Sequence, residues 1–319
     1  MNILFITANR LGDAVLSTGI LAALIERYPD ARITVACGKL PSTLFTAIPQ
    51  VVRVITLVKQ ARHGHWLGLW RQTIGTEWDL IIDLRNTLVS RLLRRRSLKV
   101  FRGPKPRQHI VEGLAEMLGF SPEEASPRLW LDPRRVEKVA RALPEGARVL
   151  ALAPGAHGVG KRWPDDRFAA LATRLLAPGG PLAGGTVLVL GAAGEEKTAS
   201  ATIAALPPDR VIDLVGKTDP AEAAAWLARA ALYVGNDSGL THLAAAAGIP
   251  TLALFGPGLP ARYRPWGKLA TYLIANDDPD RAIDLCKIDD MLALMEMQKL
   301  SVDQVAAAAE RLYHQGQAA

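Results

Sequence analysis

The chain has 319 residues, with 38 Lys and Arg against 31 Asp and Glu for a formal charge of +7, 49% hydrophobic residues and two cysteines. At roughly 100–200 residues per domain this length accommodates two domains, and the composition excludes a fibre, a disordered tail protein and a disulfide-stapled miniprotein. Cys37 and Cys286 lie far apart with no CxxC or Cys/His cluster, which argues against a structural zinc or a redox dithiol and fits a reducing cytoplasm.

The first eight residues, Met1 to Ala8, are mostly apolar but lack a basic flank and meet Asn9 and Arg10 well short of a signal peptide's length. They read as a buried first strand. Further short, β-branched runs predict strands near 31–37, 51–57, 79–84 and 98–102, with helices such as Ala14 to Tyr28 and Asn86 to Arg95 between them. After a Pro-rich stretch between Phe120 and Gly146, strands are expected near 148–153, 185–190, 210–214, 231–235, 250–255 and 270–275, and Ser301 caps a final helix running to about residue 315. Repeated βα units with apolar strands imply parallel sheets covered on both faces. The expected domains are 1–145 and 146–300, both Rossmann-like. No apolar window reaches the ~18 residues that a membrane span needs.

In open α/β sheets ligands sit beyond the carboxyl ends of the strands. The loop after the first strand, Asn9-Arg10-Leu11-Gly12-Asp13, lacks G-x-G-x-x-G, which disfavours a dinucleotide cofactor. Asp13 reads either as the N-cap of the following helix or as a general base at the mouth of the site. The segment Pro154-Gly155-Ala156-His157-Gly158-Val159-Gly160-Lys161-Arg162-Trp163-Pro164 has P-loop spacing from Gly155 to Lys161, but Arg162 replaces the magnesium-binding Ser/Thr and the helix starts late, after Pro164. An NTPase is therefore disfavoured, whereas a glycine loop offering N–H groups and one ammonium to a diphosphate is consistent.

Glu195, in Gly191-Ala192-Ala193-Gly194-Glu195-Glu196, reads equally as a ribose contact or as a helix-entry carboxylate. Asn236-Asp237-Ser238-Gly239-Leu240 follows an apolar strand and opens an Ala-rich helix, an anion site built from unpaired N–H groups. His242, one turn beyond Ser238, shares that side. Asp278-Pro279-Asp280 spells DxD but reads as a turn and helix start.

Charge is uneven. Residues 1–145 hold 22 Lys and Arg against 13 Asp and Glu, and residues 146–319 hold 16 against 18. Thirteen basic residues fall between Arg53 and Arg107, pointing to an anionic partner or to a solvated basic face. The tryptophans there are not interleaved with basic residues as a nucleic-acid stacking platform requires, so no nucleic-acid partner is expected.

Leu11-Gly12-Asp13, Pro154-Gly155-Ala156 with Lys161-Arg162-Trp163-Pro164, and Asn236-Asp237-Ser238-Gly239-Leu240 with His242 together resemble the ADP-heptose lipopolysaccharide heptosyltransferases of glycosyltransferase family 9, the second heptosyltransferase more than the first. The resemblance implies a GT-B fold with two Rossmann-like domains facing across a cleft, the last helix crossing back to the first domain. It implies no metal or cofactor and a heptose moved with inversion from a nucleotide sugar to a lipopolysaccharide core or other phosphorylated glycolipid. Asp13 would be the base and Lys161 the phosphate lysine. Glu195 would contact the ribose, and Lys217 and Thr218 would lie near the adenine. Asp237, Ser238, Gly239, Leu240 and His242 would hold the diphosphate. Arg10, Arg62, Arg94, Arg95 and Arg96 are the expected acceptor contacts, with peripheral contact at the inner face of the cytoplasmic membrane. An inverting transferase using another nucleotide sugar is the nearest alternative; an NAD-dependent oxidoreductase and a basic nucleic-acid-binding protein are more distant ones.

Overall fold

The computed structural model describes residues 1–61, 64–143, 146–256, 258–275 and 290–318. The chain divides into two compact units, Met1–Asp132 and Pro133–Ala319. Arg62 and the Asp278-Pro279-Asp280 turn lie outside the described residues. Among the described residues no helix is long and apolar enough to cross a membrane.

The first unit is built on a five-stranded parallel sheet: β1 Asn2–Ile6, β2 Arg32–Gly38, β3 Val51–Leu57, β4 Trp78–Asp83 and β5 Arg95–Val100, in the order β3-β2-β1-β4-β5. Ile3 to Ile6 are completely buried, as a central parallel strand covered on both faces must be. The expected helix from Ala14 is two, α1 Leu11–Leu16 and α2 Thr18–Arg27. Ser17 separates them. Its hydroxyl bonds the Ala14 carbonyl at 2.7 Å and pairs with Thr7 Oγ1 at 2.8 Å, and such side-chain bonds to nearby carbonyls compete with the helical ladder. The expected helix over residues 86–95 shrinks to a single turn, α4 Val89–Leu92, and β5 starts three residues earlier than the apolar pattern suggests, at Arg95. Trp78 pairs with Arg95 in the ladder, so pairing to β4 recruits polar residues that propensity alone leaves out. Helices α3 Gly64–Thr73 and α5 Ile110–Leu118 complete the unit.

The second unit carries a six-stranded parallel sheet: β6 Val149–Ala153, β7 Thr186–Val189, β8 Val211–Asp213, β9 Leu232–Asn236, β10 Thr251–Phe255 and β11 Ala270–Ile274, ordered β11-β10-β9-β6-β7-β8. Its helices are α6 Pro133–Ala142, α7 Asp165–Leu176, α8 Ser200–Ala204, α9 Pro220–Leu227, α10 Gly239–Ala246, α11 Pro260–Tyr263, α12 Asp290–Met297 and α13 Val302–Ala318.

One boundary differs from expectation. Helix α6 belongs to this unit rather than to the first: Arg135 pairs with Asp219, the N-cap of α9, at 2.8 Å and Lys138 with Glu222 of α9 at 2.5 Å, and Val139 is fully buried. Helix α13 packs within the second unit, with Arg174 of α7 bonded to Asp303 at 2.6 Å and Val305, Ala306, Ala309 and Leu312 in the core of that sheet. Ser301 does cap it, in a reciprocal bond set with Gln304.

Candidate functional site

Each sheet reverses its winding once. In the first unit the reversal falls between β1 and β4, in the second between β6 and β9. The carboxyl ends of these strand pairs are the topological switch points where open α/β sheets bind ligands. The loops of interest stand there: Asn9–Asp13 after β1, Pro154–Pro164 after β6 and Asp237–Ser238 after β9.

In the first unit Asp13 sits in the first turn of α1, whose N-cap is Arg10. Asp13 is thus not the cap. Its half-buried carboxylate receives no hydrogen bond among the described residues, which leaves both oxygens available. Burial raises its pKa above the ordinary carboxylate range, and the Arg10 guanidinium draws it part of the way back. A carboxylate so placed accepts a proton more readily than a solvated one.

Arg94, Arg95 and Arg96 do not gather with Asp13. They stand at the amino end of β5, about 17 Å along the strand from its carboxyl end at ~3.3 Å per residue. Two of them have local partners: Arg95 donates to the Arg91 and Leu93 carbonyls at 2.8 and 2.9 Å, and Arg96 faces Asp79 at 3.4 Å. A run of three arginines shows charge in sequence but not the end of the strand to which it attaches.

In the second unit the site is assembled by a residue whose role the sequence does not disclose. Asn236, fully buried at the end of β9, donates from Nδ2 to the Pro154 carbonyl at 2.7 Å and accepts the Trp163 N–H at 3.0 Å. One amide therefore ties the β9 loop to both ends of the glycine segment. Arg162 closes that segment by donating to the Ala156 carbonyl at 2.9 Å. Trp163, wedged edge-on against Phe168, donates its indole N–H to the Leu300 carbonyl at 2.9 Å. The helix after this loop starts at Asp165, as the Pro164 signal predicts.

Lys161 Nζ and the Asp237 carboxylate form a close, largely buried ion pair. Asp237 therefore faces the lysine and fixes the ammonium at the switch point. Ser238 is the N-cap of α10 but makes no side-chain cap bond, so the N–H groups of Gly239 and Leu240, the first residues of the helix, are not capped by it. His242 is 6% exposed, and its Nδ1 is buried with no hydrogen-bond partner. Burial lowers the pKa of its imidazole; Asp237 opposes that shift and Lys161 adds to it. Beneath it the Tyr233 hydroxyl meets Thr241, which bonds the Asn236 carbonyl at 2.6 Å.

Glu195 lies against this loop. Its carboxylate accepts the Ala192 N–H at 2.8 Å and fills the space where a side chain at Gly155 would stand, so the glycine is required by close approach. Glu196 turns instead to the Gly194 N–H at 3.0 Å. Thr218 and Lys217 follow β8, joined to the β7 loop through Gly216 N–H and the Gly191 carbonyl at 3.0 Å; Lys217 is ion-paired with Asp213.

The site thus offers helix N–H groups, one ammonium and one unpartnered imidazole, a donor set suited to a diphosphate. Among the described residues no group of three or more His, Cys, Asp or Glu is arranged to hold a metal ion. Cys37 is buried in β2 and burial pushes its thiol up to about 12, so it is inert near neutral pH.

The model of glycosyltransferase family 9 (heptosyltransferase) matches residues 102–284, more than half of the chain. The chain belongs to this family. It is 28% identical over 313 residues to the lipooligosaccharide heptosyltransferase 2 of Haemophilus influenzae, covering 86% of this chain and 88% of that one. Among solved structures, a family 9 glycosyltransferase from Veillonella parvula superposes with a TM-score of 0.78 at 20% identity, covering 98% and 97% of the two chains. The Escherichia coli ADP-heptose heptosyltransferase II superposes with a TM-score of 0.76 at 22% identity, covering 99% and 100%. The fold is GT-B, and the protein is a glycosyltransferase of the heptosyltransferase family.

Proposed function

We propose that the protein transfers a heptose, with inversion and without a metal, from ADP-heptose to the inner core of a lipopolysaccharide. The observation that carries this reading is the gathering of Lys161, His242 and the α10 N-terminus at the second switch point, where backbone and side-chain donors stand together.

In this reading Asp13 takes the proton of the acceptor hydroxyl as its oxygen bonds to the anomeric carbon. The bond from that carbon to the diphosphate oxygen breaks, and its electron pair leaves with ADP. The carbon passes through an oxocarbenium-like state and its configuration inverts. Charge growing on the diphosphate is met by Lys161, by the N–H groups of Gly239 and Leu240 and by His242, donors already in place before reaction. Asp237 serves by holding Lys161. Glu195, with Thr218 and Lys217, lies on the β7–β8 side of these donors, consistent with a ribose and base extending that way. The acceptor is a phosphorylated glycolipid, reached by peripheral contact with the cytoplasmic face of the inner membrane.

Calorimetric titration with ADP, UDP and GDP tests the donor. ADP is expected to bind tightest, and a clear preference for a uridine or guanosine nucleotide would overturn the ADP-heptose reading. The base has its own signature. Asp13 must be ionised to act, so activity falls at acidic pH with a midpoint above that of a free carboxylate. Arg10→Gln removes the charge that favours the ionised form, and the acidic limb of kcat/KM is expected to move to higher pH. A limb that stays in place would remove Asp13 from the titration.

A further inference from the structure

The loop after β4 carries a device with no assigned role. Asp83 is completely buried at the strand end, and its carboxylate is spent on backbone: Oδ1 accepts the Arg85 N–H at 2.9 Å, and Oδ2 accepts the Thr87 N–H at 2.6 Å and the Thr87 hydroxyl at 2.8 Å. Between these anchors Asn86 adopts φ +52°, one of two non-glycine residues with positive φ among the described residues. Such strain persists only where surrounding bonds over-determine it, and it clusters at ligand sites.

What the turn holds in place is Arg85. Its Nη1 donates to Asn9 Oδ1 at 2.6 Å, and its guanidinium lies 5.0 Å from the centre of the Trp66 ring. Asn9 belongs to the loop that leads into Asp13, so the two loops of the first switch point are tied together through this cation. No carboxylate among the described residues lies within ion-pair distance of it. Asp83, whose charge acts on it, has its oxygens committed to the Arg85 and Thr87 N–H groups and to the Thr87 hydroxyl. Arg85 is thus a half-buried charge with a neutral amide and an aromatic face for neighbours, and burial lowers its pKa against the pull of Asp83. A guanidinium held rigidly, partly desolvated and with no carboxylate among the described residues at ion-pair distance presents its remaining donors to an incoming anion in a fixed fork.

We propose that Arg85 binds an anionic group of the acceptor, a phosphate or a sugar carboxylate, at the switch point beside Asp13. This rests on the heptosyl-transfer reading and adds a residue to it. It also moves the acceptor charge contact from the arginine run at the amino end of β5 to the carboxyl end of the same sheet. The surface arginines supply field, whereas Arg85 supplies position.

The test uses the full-length enzyme, saturating ADP-heptose and the deacylated core oligosaccharide of a heptose-deficient lipopolysaccharide in three forms: intact, stripped of phosphate with hydrofluoric acid, and carboxyl-reduced. Arg85→Gln is expected to raise KM for the intact oligosaccharide about 10- to 100-fold, the range for deleting a bond to a charged group, with ADP affinity little changed; the lost tie to Asn9 acts alike on all three forms. Arg85→Lys, which keeps the charge but not the fork, falls between. Loss of the Gln penalty on the phosphate-free form identifies a phosphate, and loss on the carboxyl-reduced form identifies a carboxylate; either supports the proposal. The same KM ratio on all three forms, or no rise at all, overturns it. Wild-type transfer to the intact oligosaccharide is the separate control for the heptosyl reading. Should that control fail, calorimetric binding of the three forms to wild type and Arg85→Gln gives the same ratios without turnover.

Discussion

Replacing Asp13 with Asn or Ala is expected to lower kcat by roughly 10²–10⁴-fold, the range for removing a positioned general base, while leaving ADP affinity unchanged. The separation follows from location: Asp13 stands on α1 of the first unit, and the diphosphate donors all belong to the second. A second consequence distinguishes this residue from a structural acid. Burial raises the Asp13 pKa, so the folded protein binds its proton more tightly than the unfolded chain does. A group shifted in this direction contributes stability below its unfolded pKa, near 3.8, and loses that contribution as pH rises through the folded value. At pH 7 the ionised carboxylate is a net burden on the fold. Asp13→Asn is therefore expected to melt at a higher temperature than the wild type at pH 7, the difference closing on acidification, which differential scanning calorimetry at two pH values resolves. Near-normal turnover by Asp13→Asn would remove it as the base.

Lys161→Ala is expected to lose both donor affinity and turnover, by about 10²–10³-fold in kcat if the lysine acts as a preorganised donor to the developing charge. Part of any such loss has a structural origin. Lys161 neutralises Asp237, whose side chain is only 12% exposed, and a carboxylate left unpaired in that setting destabilises its surroundings. The double variant Lys161→Ala with Asp237→Asn removes the stranded charge. It is expected to regain the melting temperature lost in the single variant without regaining ADP binding, as read by thermal denaturation and calorimetry side by side. Recovery of ADP affinity in the double variant would mean that the lysine serves the fold rather than the diphosphate.

Much of this was legible in the sequence, for identifiable reasons. Buried parallel strands are continuous apolar runs, and β1, with Ile3 to Ile6 wholly inaccessible, shows how directly burial maps onto such a run. The loops at strand ends followed from the same reading, so Asp13, Lys161, Asp237 and His242 stand where the pattern places them. Features that depend on contacts between distant segments were not legible. The amide of Asn236 bridges Pro154 and Trp163 across some eighty residues, and nothing in Asn-Asp-Ser-Gly marks the first residue as the tie. Arg85 was one basic residue among thirteen, distinguished only by a buried aspartate, a strained neighbour and a strand position visible once the sheet is assembled. Arg94 to Arg96 show the converse: their charge is conspicuous in sequence, but ladder pairing of Arg95 with Trp78 sets them at the amino end of β5. Helix α13 likewise reads as a helix from its cap and alanines, whereas its partners are set by tertiary packing.

The central claim is an inverting transfer from ADP-heptose in which Asp13 draws a proton from the acceptor while Lys161 and the α10 terminus receive the departing diphosphate. The measurement that tests it most directly is the anomeric configuration of the glycosidic bond formed by the purified enzyme from ADP-heptose of defined anomer and a heptose-deficient core oligosaccharide, read by NMR. The expected product carries the configuration opposite to that of the donor, with one ADP released per bond formed. Retention of the donor's configuration, or no transfer from ADP-heptose while another nucleotide sugar is consumed, would contradict the account.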